Sequence, residues 1–225
     1  MKLILSGRPV PFFENLESEN APYGEHCLEV CVKMILAHLE PEKEYTLDEL
    51  EKITNKGPTV TFASHYLMWL QRRGFNVMQI ANFDWEAFRD EGADYYAKLG
   101  DGQLDFNTRG DLERERGVVD DFLASVPVLK RHPTVNDIAT ALDEKWLVRV
   151  SIDGGKIDLA KKGYFGHSVV VLGVEGDSVI FHDPGLPAQA YRRERREVFQ
   201  GAMDSFGGMM DLIKPRGETD VLAQR

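Results

Sequence analysis

The order of the patterned segments predicts an α+β fold, with helices first and an antiparallel sheet later. Three observations carry that expectation. A dense apolar pattern with helical spacing starts at Cys27, a β-branched hairpin is centred on Gly176, and no βαβ alternation runs through the chain.

Val10 to Asn15 begins extended around Pro11 and leads into a polar loop. From Cys27, the residues Leu28, Val30, Cys31, Met34, Ile35, Leu36 and Leu39 recur at helical spacing, and the helix must end before Pro41. Thr46 followed by Glu49 is a capping box for a second helix over Thr46 to Ile53. A third helix is expected from Phe62 to Arg73, stopped by Gly74, with a strand over Phe75 to Ile80 behind it. Tyr66, Trp69 and Leu70 on that helix read as core. The stretch 83–125 is mostly helical and heavily charged, broken near Gly100-Asp101-Gly102. Thr134 to Asp143 reads as a capped helix that leads into a strand over Trp146 to Ile152. Ser168 to Val174 is a β-branched strand, Glu175-Gly176-Asp177 a turn, and Ser178 to Phe181 the returning arm. A short helix over Arg193 to Met203 and a strand near Met209 to Ile213 complete the expected sheet, and the basic run Arg192 to Arg196 reads as a solvated helix face.

The chain has 225 residues, 43% hydrophobic and 28% charged, which suits one substantial core and excludes a disordered chain. The organisation expected is a single domain over 1–215, a charged helical insertion or lid at about 83–130, and a loose tail over 216–225. The formal charge of −10 opposes a phosphate backbone, so no nucleic acid partner is expected. No apolar run approaches the roughly 20 residues that span a bilayer, and Met1 to Arg8 is too short for a signal peptide. A cytoplasmic protein without a membrane partner is therefore expected.

Cys27 and Cys31 sit four apart on one helix, a poor geometry for a disulfide. Cys27 stands where a loop containing Pro22 and Gly24 meets the helix, and backbone N–H groups there favour a thiolate. Cys31, between Val30 and Val32, reads as a buried small hydrophobe. His167 opens the β-branched strand and Asp183 ends the returning arm, almost symmetric about Gly176, so the hairpin sets them side by side. A carboxylate in that place holds an imidazole in one tautomer and supports its charged form. His182 is the rival base, because a one-residue change of register would exchange it for His167. Cys27, Cys31, His26, His38 and His65 lack a matching second pair of ligands, so no metal site and no cofactor is expected.

These stretches resemble the papain-like cysteine peptidases of the bacteriocin-leader-processing, double-glycine type. Val10-Pro11-Phe12-Phe13-Glu14-Asn15 is similar to the Val-Pro-aromatic-aromatic-x-Gln segment of that family. Cys27-Leu28-Glu29-Val30 to Lys33-Met34-Ile35-Leu36 is similar to its Cys-Gly-Pro-Ala helix, and His167 to Gly173 with Asp183-Pro184 to its later motifs. The resemblance covers both ends of the core and hardly touches 83–130. It implies a papain-like fold with Cys27 as nucleophile, His167 as base and acid, Asp183 as orienting residue and Asn15 in the oxyanion-stabilising position. It also implies a peptide or amide substrate cleaved through a thioester. Leu28-Glu29 in place of Gly-Pro and Asn15 in place of Gln depart from the family pattern, as does a longer loop from Asn15 to Cys27. Three outcomes stay open at this point: a peptidase or amidase, an acyltransferase using the same residues, and an inactive scaffold that binds a peptide or protein.

Overall fold

The structure is a computed structural model that describes residues 9–14, 26–99, 104–158, 166–185, 187–205 and 208–217. The first half is helical: α1 (Cys27–Leu39), α2 (Leu47–Thr54) and α3 (Ser64–Arg72) precede the strand β1 (Asn76–Ala81). Four more helices follow, α4 (Trp85–Glu91), α5 (Ala93–Leu99), α6 (Phe106–Arg116) and α7 (Val119–Ser125), then the short strand β2 (Val128–Lys130). The second half runs α8 (Val135–Asp143), β3 (Leu147–Asp153), α9 (Gly154–Ile157), β4 (Gly166–Glu175), β5 (Ser178–Asp183), β6 (Gln189–Arg195), α10 (Arg196–Met203) and β7 (Met209–Lys214). The α+β order read from the sequence therefore holds.

Local chemistry sets most boundaries. Thr46 accepts from the Glu49 amide while the Glu49 carboxylate takes the Thr46 amide, so α2 starts on a complete capping box. It ends on Asn55 in the left-handed region, where a short polar side chain is tolerated. Thr134 and Asp137 repeat the capping box at α8.

The seven strands form one sheet in the order β2-β1-β7-β3-β4-β5-β6, with β1 and β2 parallel and every other pair antiparallel. Side chains alternate between the two faces, and both faces are covered. One cluster joins Val30, Met34 and Leu36 of α1 with Tyr66 and Leu67 of α3 and with Val77, Leu147, Val170 and Ile213 of the strands. Trp85, Phe88, Leu112, Val119 and Phe122, from the 83–130 segment, belong to the same cluster. The other cluster sets Ile138 and Leu142 of α8 and Phe199, Ala202 and Met203 of α10 against Ile80, Val150, Val169, Phe181 and Leu212. The sheet is thus a middle layer between α1–α7 and α8–α10.

Three elements lie outside the expectation: the short strand β2, the single-turn helix α9 and the edge strand β6. Residues 193–195, expected as the start of a helix, end β6, and α10 begins only at Arg196. Ladder pairing with β5 overrides the helix-forming composition of the Arg-rich run. Among the described residues no helix is long and apolar enough to cross a membrane.

Candidate functional site

Cys27 is the first residue of α1, half-buried, and α1 packs directly on β4, where His167 is the second residue. The thiol is coupled electrostatically to the His167 ring and to the Ser168 backbone N–H. The opposite side of that ring is taken by Asp183: His167 Nε2 lies 2.7 Å from Asp183 Oδ1, and both residues are buried. With Nε2 committed to the carboxylate, Nδ1 is the ring nitrogen left for Cys27. The hairpin turn at Gly176 brings the ends of β4 and β5 together; the register sets Val170 opposite His182, after a shift between Val171 and Gly173, so Asp183 meets His167 diagonally and not directly across the ladder. Cys27, His167 and Asp183 therefore converge. Asn15, Glu25 and the Pro22–Gly24 loop lie outside the described residues.

The electrostatics follow from these contacts. Burial pushes the Cys27 thiol up, but the His167 hydrogen bond and charge, with the Ser168 amide, outweigh it and leave the thiol below its ordinary value. Burial works against the His167 imidazolium, yet Asp183 and Cys27 together raise it from 6.5 to about 9. Asp183 is held below the usual carboxylate range: burial opposes its charge, and His167, the Gly185 amide and Arg192 restore it. Cys31 differs sharply. It is fully buried, and desolvation plus the neighbouring Cys27 charge drive its thiol far above the ordinary value. The two thiols of one helix are thus set apart chemically by a single turn.

The carboxylate of Asp183 has every side engaged. Oδ1 accepts from His167 and from the Gly185 backbone N–H at 2.9 Å, and Oδ2 accepts from Arg192 Nη1 at 2.8 Å. A methyl group at Gly185 would stand 2.9 Å from Asp183 Oδ1 and 3.1 Å from the His167 ring, so only glycine fits against the pair without displacing it.

His182, the rival base, is turned elsewhere. Its Nε2 donates to the Val10 carbonyl at 3.1 Å and its Nδ1 accepts the Tyr191 amide at 3.3 Å, with Phe12 and Tyr191 against the ring. Burial keeps it neutral by lowering its pKa. His26, next to Cys27, is fully buried and bonds Glu51 at 2.7 Å across the α1–α2 contact. Glu29, one of the residues in place of Gly-Pro, is also buried, accepts Thr54 Oγ1 at 2.7 Å, and has its carboxyl pushed up by desolvation. Both point into helix packing. Neither replaces a member of the converging set.

Beneath Cys27 runs a buried polar row that the sequence reading missed. Gln79 of β1, Asp211 of β7 and Arg149 of β3 are register neighbours. Gln79 Nε2 donates to Asp211 Oδ1 at 2.8 Å, and Arg149 Nη1 and Tyr66 Oη donate to Asp211 Oδ2 at 2.8 and 2.6 Å. Trp85 Nε1 completes one end on Gln79, and Arg149 Nη2 completes the other on Ser168 Oγ at 2.7 Å. Ser168 lies between His167 and the rest of β4, so the row ends at the site. The available signal was one charge inside each of two apolar runs, Val148-Arg149-Val150 and Met210-Asp211-Leu212, with opposite signs.

No family model matches the sequence, and no curated protein matches it. The fold is similar to solved structures. One is the peptidase domain of Streptococcus ComA, a bi-functional ABC transporter involved in a quorum sensing pathway. It is 12% identical at a TM-score of 0.47, over 92% of this chain and 99% of that one. Another is a double glycine motif protease from an AMS/PCAT transporter in complex with the leader peptide. It is 15% identical at a TM-score of 0.47, over 92% of this chain and 91% of that one.

Proposed function

We propose that the chain is a cysteine hydrolase, a peptidase or amidase that works by acyl transfer through a thioester. The observation that carries this reading is the arrangement at the start of α1: a half-buried thiol on a helix packed against β4, coupled electrostatically to His167, whose Nε2 is 2.7 Å from Asp183. Mutual stabilisation favours the thiolate–imidazolium pair, since each partner shifts the other toward its charged form.

In this reading the Cys27 thiolate attacks the carbonyl carbon of a peptide or amide, and the carbonyl electron pair moves to oxygen. The Cys27 backbone N–H at the helix start, with the Asn15 amide, would receive that oxyanion. As the tetrahedral intermediate collapses, the C–N bond breaks and the His167 Nδ1–H proton passes to the departing amine. The acyl group stays on sulfur as a thioester. Neutral His167 then takes a proton from water, the hydroxide adds to the thioester, and the C–S bond breaks to release the acid and restore the thiolate. An amine in place of that water would make the same centre a transferase. Asp183 keeps the imidazole oriented and supports its charge throughout.

The test is the pH dependence of iodoacetamide alkylation, with the modified cysteine located by mass spectrometry, in wild type and His167→Ala. Cys27 should react as a thiolate well below pH 8, Cys31 should stay inert, and the low-pH reaction should vanish in the variant. An ordinary thiol titration of Cys27, unchanged by the substitution, would replace the enzyme with a peptide- or protein-binding scaffold.

A further inference from the structure

β6 is an edge strand with an irregularity next to the site. Two residue steps on β5, from Phe181 to Asp183, span three on β6, from Arg192 to Gln189, so β6 carries one extra residue. Tyr191, within that bulge, adopts φ 53°, a left-handed conformation that is strained for a non-glycine residue. Its ring is half-exposed and meets the His182 ring edge-on. Its amide is satisfied by His182 Nδ1, which holds the bulge in place.

The bulge seats Arg192 beside Asp183. Nη1 donates to Asp183 Oδ2 at 2.8 Å, and Nη2 donates to the Ile157 carbonyl at 3.2 Å. One guanidinium therefore ties the edge strand, the carboxylate, and the end of α9 that precedes β4. Without it, Asp183 Oδ2 would be a buried carboxylate oxygen with no donor, and the group would turn to regain one. Any such turn moves Oδ1 away from His167 Nε2.

We propose that Arg192, seated by the β6 bulge and its His182 prop, is a positioning residue for the Cys27–His167–Asp183 centre, fixing the direction from which the Asp183 carboxylate meets the imidazole. The proposal rests on the cysteine-hydrolase reading. The other arginines of the run do different work: Arg193 pairs with Glu175 and Arg196 bonds Asn136 and the Gly176 carbonyl, away from the centre.

The experiment is proton NMR of the full chain with ¹⁵N-labelled histidine, following the downfield Nε2–H signal of His167, assigned by its disappearance in His167→Ala. A sharp signal is expected in wild type and in Arg193→Met. Arg192→Met should broaden it beyond detection under the same conditions, and Arg192→Lys, which returns a donor and a charge, should bring it back. A sharp, unshifted signal in folded Arg192→Met overturns the proposal. If that variant does not fold, Arg192→Gln is read instead: broadening supports the proposal and an unchanged signal overturns it. Alkylation of wild-type Cys27 separates the two readings, because an ordinary thiol there removes the hydrolase whatever the variants do to the ring signal.

Discussion

The two sides of the sheet are built from different materials. On the α8–α10 side the central strands present Val148, Val150, Val169, Val171, Met210 and Leu212, an apolar surface matched by Ile138, Leu142 and Phe199. On the α1 side the alternate positions of the same strands include Gln79, Asp211, Arg149 and Ser168, all buried and joined to one another. A purely apolar layer gains stability from area and tolerates changes of similar volume. A buried ionic row must keep every partner to be harmless. The side with the more demanding construction is the side on which Cys27 sits. The row ends at Ser168, whose hydroxyl is tied to Arg149 and whose amide meets the thiol.

The largest test of that contrast is Asp211→Ala. It leaves the Arg149 guanidinium buried with its main acceptor gone, and we expect a loss of about 3–5 kcal/mol in denaturant unfolding. A combined Arg149→Met, Asp211→Leu variant should recover part of the loss, because an apolar pair no longer buries a charge, while Tyr66 and Gln79 still lose Asp211 as acceptor. If the single and double variants are equally unstable, the row is not the electrostatic unit described. A smaller effect is expected on the opposite side. Ile138→Val removes one methylene from full burial and should cost about 0.5–1.5 kcal/mol with unchanged Cys27 alkylation. A changed thiol reactivity in that variant would show that the two sides are not independent.

The smallest effect is a slope in pH. His167 is raised from 6.5 to about 9, so the stability its proton brings is full below 6.5 and fades as pH rises through 9. Cys27 is lowered from 9.0, so its contribution is full above 9.0 and fades as pH falls through the lowered value. Between 6.5 and 9 the two slopes oppose each other. The thermal midpoint of wild type should therefore change less over that range than that of Cys27→Ala, which loses the rising contribution and keeps the part of the falling His167 contribution that Asp183 supplies. Ile138→Val should move the whole curve down without altering its slope.

Much of this architecture was legible in the sequence because it depends on local signals. The capping boxes at Thr46 and Thr134, the stop before Pro41 and the turn at Gly176 each act over a few residues, and the helices and hairpin follow them. The approach of His167 to Asp183 was legible for the same reason, since one hairpin joins them. What escaped was decided by neighbours distant in sequence. Arg192 to Arg195 has the composition of a helix face, and only the open edge of β5 makes it a strand. Arg149 and Asp211 find each other through β3–β7 pairing, 62 positions apart; a lone charge in each apolar run marks the two residues, but no local pattern pairs them. Arg192 reaches Asp183 through a bulge, and a bulge shifts the very register that alternation uses for prediction.

Helix α1 has a dynamic consequence. Nine of its 13 residues are buried, and it lies between the sheet and the helices of the first half, so its hydrogen-bonded amides, from Val30 onward, have no low-energy route to solvent. Their hydrogen exchange should require opening of the whole core, and Cys27 is bound to the slowest-exchanging unit of the molecule. β6 is paired on one side only and carries mostly exposed side chains, so it belongs to the units that open first. Cys27 and the arginine bound to Asp183 therefore sit at opposite ends of the protein's range of local stabilities. Mild denaturant should release the edge strand while the thiol is still held in its native place.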